Sequence, residues 1–473
     1  RLTFKQFLDM VNRLAVGLRK EGIKRGDRIA IMSRNNMESF VLYFAAARCG
    51  AIFVPLNTRL SQGEIEYILN DCQPKLLFVE SPFQPLLGQN MVKVDSVKRR
   101  YSFAQKEGEF LSFDQLIEND ARMREIAVRT DDGLIIIYTA AVGGRPRGGL
   151  LTHGSVLASN MQVMYGLSLL STDIYLAVLP LFHVAGLMFS SNVFHGGGAN
   201  VIVPQFDPQR ALELIEAEKI TIVFSFSPML EQIVEKMKEH DHDLSSVRMT
   251  IGITYPECFG EFQAKTHSVF YRVWGQTETL SFITACRHDE RPGSIGRPLP
   301  LTYLQIVDER DRRVEVGQSG EIVVRSPQVF KGYWNLDKET AFTFREGWHH
   351  TGDLGRLDED GFLWFVGRKQ EKDLIKTGGE NVYPAEVESA ILKHAQIKEA
   401  VVIGVPDPKW VESIKAVCVV KEEGMVTEEE LIDFVSKKIA SYKKPKHVQF
   451  VESLPKTAGG EVDRTKVKEK YGG

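Results

Sequence analysis

The sequence is poor in cysteine, and none of its cysteines stands in a paired spacing. The five, Cys49, Cys72, Cys258, Cys286 and Cys418, are scattered and odd in number. That excludes a disulfide scaffold, leaves no C-x-x-C metal or redox motif, and fits a reducing, cytoplasmic setting. No apolar run approaches the ~18–20 residues that span a bilayer, and no signal-peptide pattern opens the chain. Neither sign of charge dominates: 59 Lys and Arg stand against 62 Asp and Glu. No global field therefore attracts nucleic acid or an anionic membrane. Short basic runs such as Lys443-Lys444-Pro445-Lys446 read as solvated surface. Fixed-period repeats and low-complexity tracts are also missing.

What is present is ordinary globular composition in a long chain. The 473 residues are 43% hydrophobic and 26% charged, and at roughly 150 residues per domain this predicts about three structural units. Residues 2–18 carry apolar side chains at helical spacing, including Phe4, Phe7, Leu8, Val11 and Leu14. Strand candidates at 28–32, 51–55 and 75–79 alternate with helix candidates at 38–49 and 62–69. The alternation resumes with strands at 133–138, 173–179, 200–203 and 221–226 and helices at 153–167, 208–218 and 228–238. Strands alternating with helices predict a parallel-sheet α/β architecture. From about residue 296, short strands with Gly/Asp turns predict a small all-β unit. The polar stretch Gly367-Arg368-Lys369-Gln370-Glu371-Lys372 is the clearest boundary, and the ~100 residues beyond it suffice for a separate α+β domain.

Four segments could carry chemistry. Tyr138–Gly149 leaves a buried strand and is read as leading into a helix. Its glycines allow backbone N–H groups to approach phosphate, and its arginines add charge, yet it is not a Walker A loop. Trp274-Gly275-Gln276-Thr277-Glu278 offers a ring to stack on a base, a hydroxyl for phosphate and a carboxylate for Mg²⁺. Trp348–Gly355 holds Asp353, able to accept from ribose hydroxyls. Its adjacent His349 and His350 point apart in regular structure and do not favour zinc. Leu374–Pro384 contains the pair Gly378-Gly379, which permits close backbone approach to a ligand. Taken singly, each has a bland alternative as a turn or loop.

Together and in this order, these segments resemble the adenylate-forming acyl-CoA synthetase superfamily. Pro180–Gly186, Pro292–Pro298, Gly320-Glu321-Ile322, Gly332-Tyr333-Trp334 and Leu454-Pro455-Lys456-Thr457 add to the likeness, which covers essentially the whole chain. The resemblance implies a large N-terminal domain, residues 1–368, of α/β subdomains plus a small β-barrel, and a mobile α+β C-terminal domain, residues 369–473, with the hinge near 369–370. It implies an ATP-dependent, AMP-forming ligase that activates an apolar (fatty or aromatic) carboxylic acid as its acyl-adenylate and transfers the acyl group to CoA. The implied partners are the acid, ATP, Mg²⁺ and CoA, with a homodimer as one compatible assembly.

The resemblance also assigns residues. Trp274 would flank adenine, with Gly275 and Gln276 beside it. Thr277 would touch the α-phosphate and Glu278 would bind Mg²⁺. Asp353, helped by Arg368, would hold the ribose. Thr139, Gly143, Gly144 and Arg147 belong to the phosphate loop. His183 would line the acyl pocket, Lys376 would lie near phosphate or CoA, and Gly378, Gly379 and Glu380 would border the thiol tunnel.

Several positions depart from the family pattern. Ala140, Ala141 and Val142 replace hydroxyl or Gly positions in the phosphate loop, and Arg147 replaces its Lys. Glu461 stands where the family has the Lys that bridges carboxylate and α-phosphate. Val411 follows Trp410 where a Gly is usual, and the hinge stretch is about two residues longer than is usual in the family. The alternative is therefore an adenylation-impaired homologue that binds nucleotide or acyl-adenylate, or performs only the thioester half-reaction.

Overall fold

The computed structural model describes residues 1–88, 92–104, 108–120, 126–139, 145–253, 256–369, 374–377, 380–408, 410–421, 425–456 and 462–472. Within these the strands form four sheets. The first runs, in spatial order, Gly332–Tyr333, Arg147–Thr152, Gly133–Thr139, Ile52–Pro55, Arg28–Met32, Leu76–Val79, Arg99–Ser102 and Phe110–Ser112. Its centre is parallel and covered on both faces. Ile29 and Ile31 point into one core while Ala30 and Met32 point into another, so the strands read as unbroken apolar runs. The helix Phe4–Lys20 packs on the first of these cores through Phe7, Val11, Leu14 and Leu18. Thr3 and Gln6 close its N-terminus with a reciprocal capping box.

The second sheet runs Arg297–Pro298, Ser281–Arg287, Val269–Gln276, Met249–Ile253, Ile222–Phe226, Ile174–Ala177 and Ala199–Ile202. Buried Asn35 ties it to the first: its Nδ2 donates to Leu179 O at 2.9 Å and its Oδ1 accepts from Leu181 N at 2.8 Å. This fixes the segment that carries His183. The third sheet is antiparallel, Tyr303–Val307, Gly320–Arg325, Trp348–Leu357 and Phe344–Arg345, with Leu363–Arg368 also on Trp348–Leu357. The expected small all-β unit is thus present. Among the described residues its edge strand Tyr303–Val307 pairs with neither Phe344–Arg345 nor Leu363–Arg368, so its pairing is that of an open sheet rather than a closed barrel.

The fourth sheet lies wholly beyond residue 369: Glu380–Val382, Ile375–Thr377, Val411–Val420 and Ile397–Asp407, with His447–Phe450 on Val411–Val420. Alternation along it separates two cores. Val402, Ile414 and Ala416 face the helices Pro384–Ile391 and Glu428–Ser436, while Val401, Ile403 and Val417 face Leu454 and Val467.

One element differs from the sequence expectation in kind. Tyr138–Gly149 does not pass from strand to helix. Gly133–Thr139 turns back as the antiparallel strand Arg147–Thr152, and the helix His153–Gly166 begins only after it. Gly148 permits this pairing, because a Cβ there would stand 2.7 Å from Ile136 Cγ2.

Candidate active site

The ends of the first three sheets and one side of the C-terminal part enclose a cavity of about 170 Å³. Ile137–Thr139 and Pro146 come from the hairpin of the first sheet, and Gly275–Glu278 from the second. Asp353 and Arg368 come from the third. His183 also lines it, and Glu380, Asn381 and Tyr383 of the C-terminal part close over it beside His183.

Gly275 explains how Gln276, Thr277 and Glu278 reach the wall. The strand Val269–Gln276 bulges between Trp274 and Gly275 and returns as Ser281–Arg287. A Cβ on Gly275 would lie 1.4 Å from Ser281 O, so only glycine admits this approach. Between the strands Thr277–Thr279 forms a 3₁₀ turn, tied by Gln276 N donating to Thr279 Oγ1 at 2.8 Å.

Asp353 is the most completely bound carboxylate of the cavity. Arg368 Nε donates to Oδ1 at 2.9 Å, while Trp274 Nε1 and Gln276 Nε2 each donate to Oδ2 at 3.0 Å. Trp274 therefore stands behind the wall, buried with Ile283, Ile306 and Leu363, and orients Asp353 through its indole N–H. Glu278 is buried and accepts from Tyr333 Oη at 2.7 Å. Burial, then the Glu278 charge, holds the Tyr333 phenol far above its ordinary range, so it remains a donor. The Arg147 guanidinium lies 5.7 Å from the centre of the Tyr333 ring. Arg147 is not among the cavity-lining residues, and Thr139 Oγ1 donates to Arg147 O at 3.4 Å.

His183 precedes the helix Val184–His195 and holds its Nε2 3.3 Å from Glu380 Oε2. Arg59 Nη1 approaches Glu380 Oε1 at 2.7 Å. Burial pushes the Glu380 carboxyl up, but His183 and Arg59 outweigh it and hold the group down to about 2. Lys376, on Ile375–Thr377, is off the cavity wall and donates its backbone N–H to Glu412 at 2.8 Å. Desolvation and the neighbouring Arg368 hold its ammonium below the usual lysine range, against the pull of Asp353 and Glu412.

Gly143, Gly144, Ala140, Ala141, Val142, Gln370, Gly378, Gly379 and Glu461 lie outside the described residues. The two lysines flanking Glu461 are occupied away from the cavity. Lys456 Nζ is 3.2 Å from Glu399 Oε2 and Lys466 Nζ is 3.2 Å from Asp463 Oδ2. Trp410 N donates to Asp407 Oδ1 at 3.0 Å beside Val411.

His349 and His350 point to opposite sides of their strand, as adjacent strand residues must. His349 sits among Phe330 and Phe344, and His350 Nδ1 is 3.0 Å from Glu321 Oε2. Asp311, Glu321 and His350 could in principle hold a metal. Lys369 Nζ, 2.7 Å from Glu321 Oε2, and Arg345, 2.8 Å from Asp311, already supply cations. Glu321 also accepts from Gly352 N at 2.9 Å, next to Asp353.

Sequence reasoning missed Tyr442 and Lys443 on the cavity wall, Lys443 being buried where the basic run was expected to be solvated, and Arg59 on Glu380. Nothing local marks Arg59, or the pairing of Lys443 with Glu64, because those partners lie hundreds of residues away. For Arg59 and Glu380 the separation is 321 residues.

Two α/β sheets, a small antiparallel sheet and an α+β part closing over a polar cavity define the adenylate-forming class. A family profile for AMP-binding enzymes matches residues 1–334, and one for the AMP-binding enzyme C-terminal domain matches residues 386–461. The chain belongs to the AMP-binding enzyme family. It is 34% identical over 476 residues to an indoleacetate–CoA ligase of Aromatoleum aromaticum, covering 99% of this chain and 93% of the relative. Among solved structures, a double mutant of o-succinylbenzoate CoA synthetase from Bacillus subtilis, bound with a product analogue, superposes with a TM-score of 0.86. It is 30% identical and covers 99% of this chain and 93% of its own. A protein titled as a long-chain-fatty-acid CoA ligase from Rhodopseudomonas palustris gives a TM-score of 0.74 at 38% identity, covering 78% of this chain and 93% of its own. No helix among the described residues is long and apolar enough to cross a membrane.

Proposed function

We propose that this chain is an ATP-dependent, AMP-forming ligase joining an apolar carboxylic acid to CoA, with an aromatic acid as the preferred class. The observation that carries this reading is Asp353. Its carboxylate is fixed by three donors and lines the cavity beside Gln276, Thr277 and Glu278. Aromatic acids come first because the indoleacetate–CoA ligase and the o-succinylbenzoate CoA synthetase, each matched over 99% of this chain, carry aromatic acids in their names.

In the first half-reaction the substrate carboxylate attacks the α-phosphorus of ATP and pyrophosphate leaves with the P–O bond electrons. Asp353 accepts from the ribose hydroxyls, with Arg368 and Trp274 holding it in place. Thr277 donates to an α-phosphate oxygen. Mg²⁺ typically takes one or two protein carboxylates and completes its shell with phosphate and water. Glu278, a cavity carboxylate anchored through one oxygen by Tyr333, fits that donor set and would hold the ion. Bound there, the ion neutralises phosphate charge. Such chemistry needs positioning and charge more than covalent catalysis.

In the second half-reaction a thiolate attacks the acyl carbon and AMP leaves. The orientation seen here, with Glu380, Asn381 and Tyr383 on the cavity, serves this step. Glu380 orients the His183 ring at the point where acyl group and thiol meet. A second orientation of residues 369–473, turning about 369–370, would serve adenylation. The scattered cysteines agree with a reducing, cytoplasmic setting, and light scattering on the purified protein decides between monomer and homodimer.

The test is acid-dependent exchange of labelled pyrophosphate into ATP across aromatic, fatty and short aliphatic acids. Exchange strongest with an aromatic acid supports the reading. Absence of exchange with every acid of the panel, by folded protein, removes adenylation and favours the alternative motivated by Glu461, a protein limited to the thioester half-reaction or to binding.

A further inference from the structure

Glu64 belongs to two structures at once. In its own helix, Gln62–Cys72, it accepts from Ser61 N at 2.8 Å and Ser61 Oγ at 2.6 Å, closing the N-terminal cap. Across the boundary to the C-terminal part it accepts from Ala440 N at 3.0 Å and pairs with Lys443 Nζ. Lys443 is buried, and its ammonium is also 2.6 Å from Glu386 Oε1. One ammonium is therefore shared between a carboxylate of its own domain and a carboxylate across the boundary. Five residues before Glu64, Arg59 also reaches across the boundary, to Glu380, which His183 contacts from the same side. A single short stretch, 59–64, thus grips both the cavity-facing strand and the segment around residue 440.

The sharing has a physical consequence. A buried charge stripped of its partner is costly. Here neither side is stripped when the two parts separate, because Lys443 keeps Glu386 and Glu64 keeps Ser61. The crossing contact can be made and broken without stranding a charge. Buried ion pairs add little net stability but demand accurate geometry, which suits an element that selects one orientation and still releases it.

We propose that Glu64 is a positioning residue for the thiol-transfer half-reaction, its grip on Lys443 and the Ala440 N–H selecting the orientation that brings Glu380, Asn381 and Tyr383 onto the cavity. This rests on the ligase function proposed above. The test compares Glu64→Gln, which keeps an acceptor for Ser61, with Ser61→Ala, which weakens the cap and leaves Lys443 untouched. Each half-reaction is read separately: pyrophosphate exchange for adenylation, and single-turnover thioester formation from supplied acyl-adenylate and CoA. Glu64→Gln is expected to slow thioester formation at least tenfold and to leave exchange within twofold. Ser61→Ala should move neither. Equal loss in both half-reactions, or an unchanged thioester step, overturns the proposal. Amide hydrogen exchange gives a readout independent of catalysis. Peptides covering 57–64 and 438–446 should lose protection in Glu64→Gln, and unchanged protection counts against the proposal. If the unmodified protein catalyses neither half-reaction, the ligase reading fails, and the exchange result alone decides whether Glu64 sets the orientation.

Discussion

Asp353 and Arg368 face each other as cross-strand partners, with Arg368 Nε 2.9 Å from Asp353 Oδ1. The next residue, Lys369, donates its backbone N–H to Gly352 O at 2.9 Å and its ammonium to Glu321 at 2.7 Å. The carboxylate assigned to the ribose and the start of the connection to the C-terminal part therefore share one rigid pair of strands. A change at either residue is felt at the other.

Asp353→Asn tests the ribose assignment. Losing a charged acceptor costs about 1.5–3 kcal/mol per hydrogen bond. AMP affinity measured by calorimetry should fall roughly 10–100-fold, with the circular dichroism spectrum unchanged. Unaltered affinity would remove Asp353 from the nucleotide site.

Tyr333→Phe tests the support of Glu278. The phenol is the anchor of a buried carboxylate, and a hydrogen bond to a charged group is worth about 1.5–3 kcal/mol. The Mg²⁺ concentration giving half-maximal pyrophosphate exchange should rise about tenfold, while the apparent affinity for the acid stays put. A shift in acid affinity alone would place Tyr333 on the acyl side.

Acid stability should report Glu321. Burial works against its charged form, yet His350 and Lys369 hold the carboxyl down to about 2, from a usual 4.5. A depressed acid stabilises the fold fully above its unfolded pKa, and that contribution is lost as pH falls from about 4.5 toward 2. The contribution at neutral pH is about 3 kcal/mol. Glu321→Gln should therefore lower stability at pH 7 by that order in urea titrations and flatten the decline between pH 4.5 and 2. A variant with the unmodified protein's acid profile would contradict the assignment.

Glu461→Lys tests whether position 461 is the one expected to carry the bridging lysine and whether the glutamate there limits adenylation. One preorganised donor to developing charge is worth about 10²–10³ in rate. Pyrophosphate exchange should rise by at least ~10-fold. No change would mean that position 461 does not meet the reactants, leaving Arg147 or Lys376 as the cation to test next.

Much of the fold was legible because buried parallel strands leave an unmistakable trace. Arg28–Met32 and Leu76–Val79 are unbroken apolar runs since both faces are covered. The strand Arg147–Thr152 was not legible. Its Gly148 is there for close packing against Ile136 and Tyr138, and glycine normally argues against a strand. Asp353, Thr277 and Glu278 were found through motif resemblance, and the structure brings them to one cavity. The hydrogen bond from Trp274 Nε1 to Asp353, 79 residues along the chain, was not legible from the motif, which spoke only of the ring beside adenine. The contact between Glu64 and Lys443 spans 379 residues and involves residue types that usually lie on the surface, so no local pattern could announce it.

The most direct measurement is the stoichiometry of the complete reaction. Purified protein is incubated with an aromatic carboxylic acid, ATP, Mg²⁺ and CoA, and acid, AMP, pyrophosphate and thioester are quantified together by chromatography. An AMP-forming ligase predicts one AMP, one pyrophosphate and one aryl-CoA for each acid consumed, with nothing formed when the acid is omitted. Release of ADP and phosphate in place of AMP and pyrophosphate, or no product with any acid of the panel, would contradict the account.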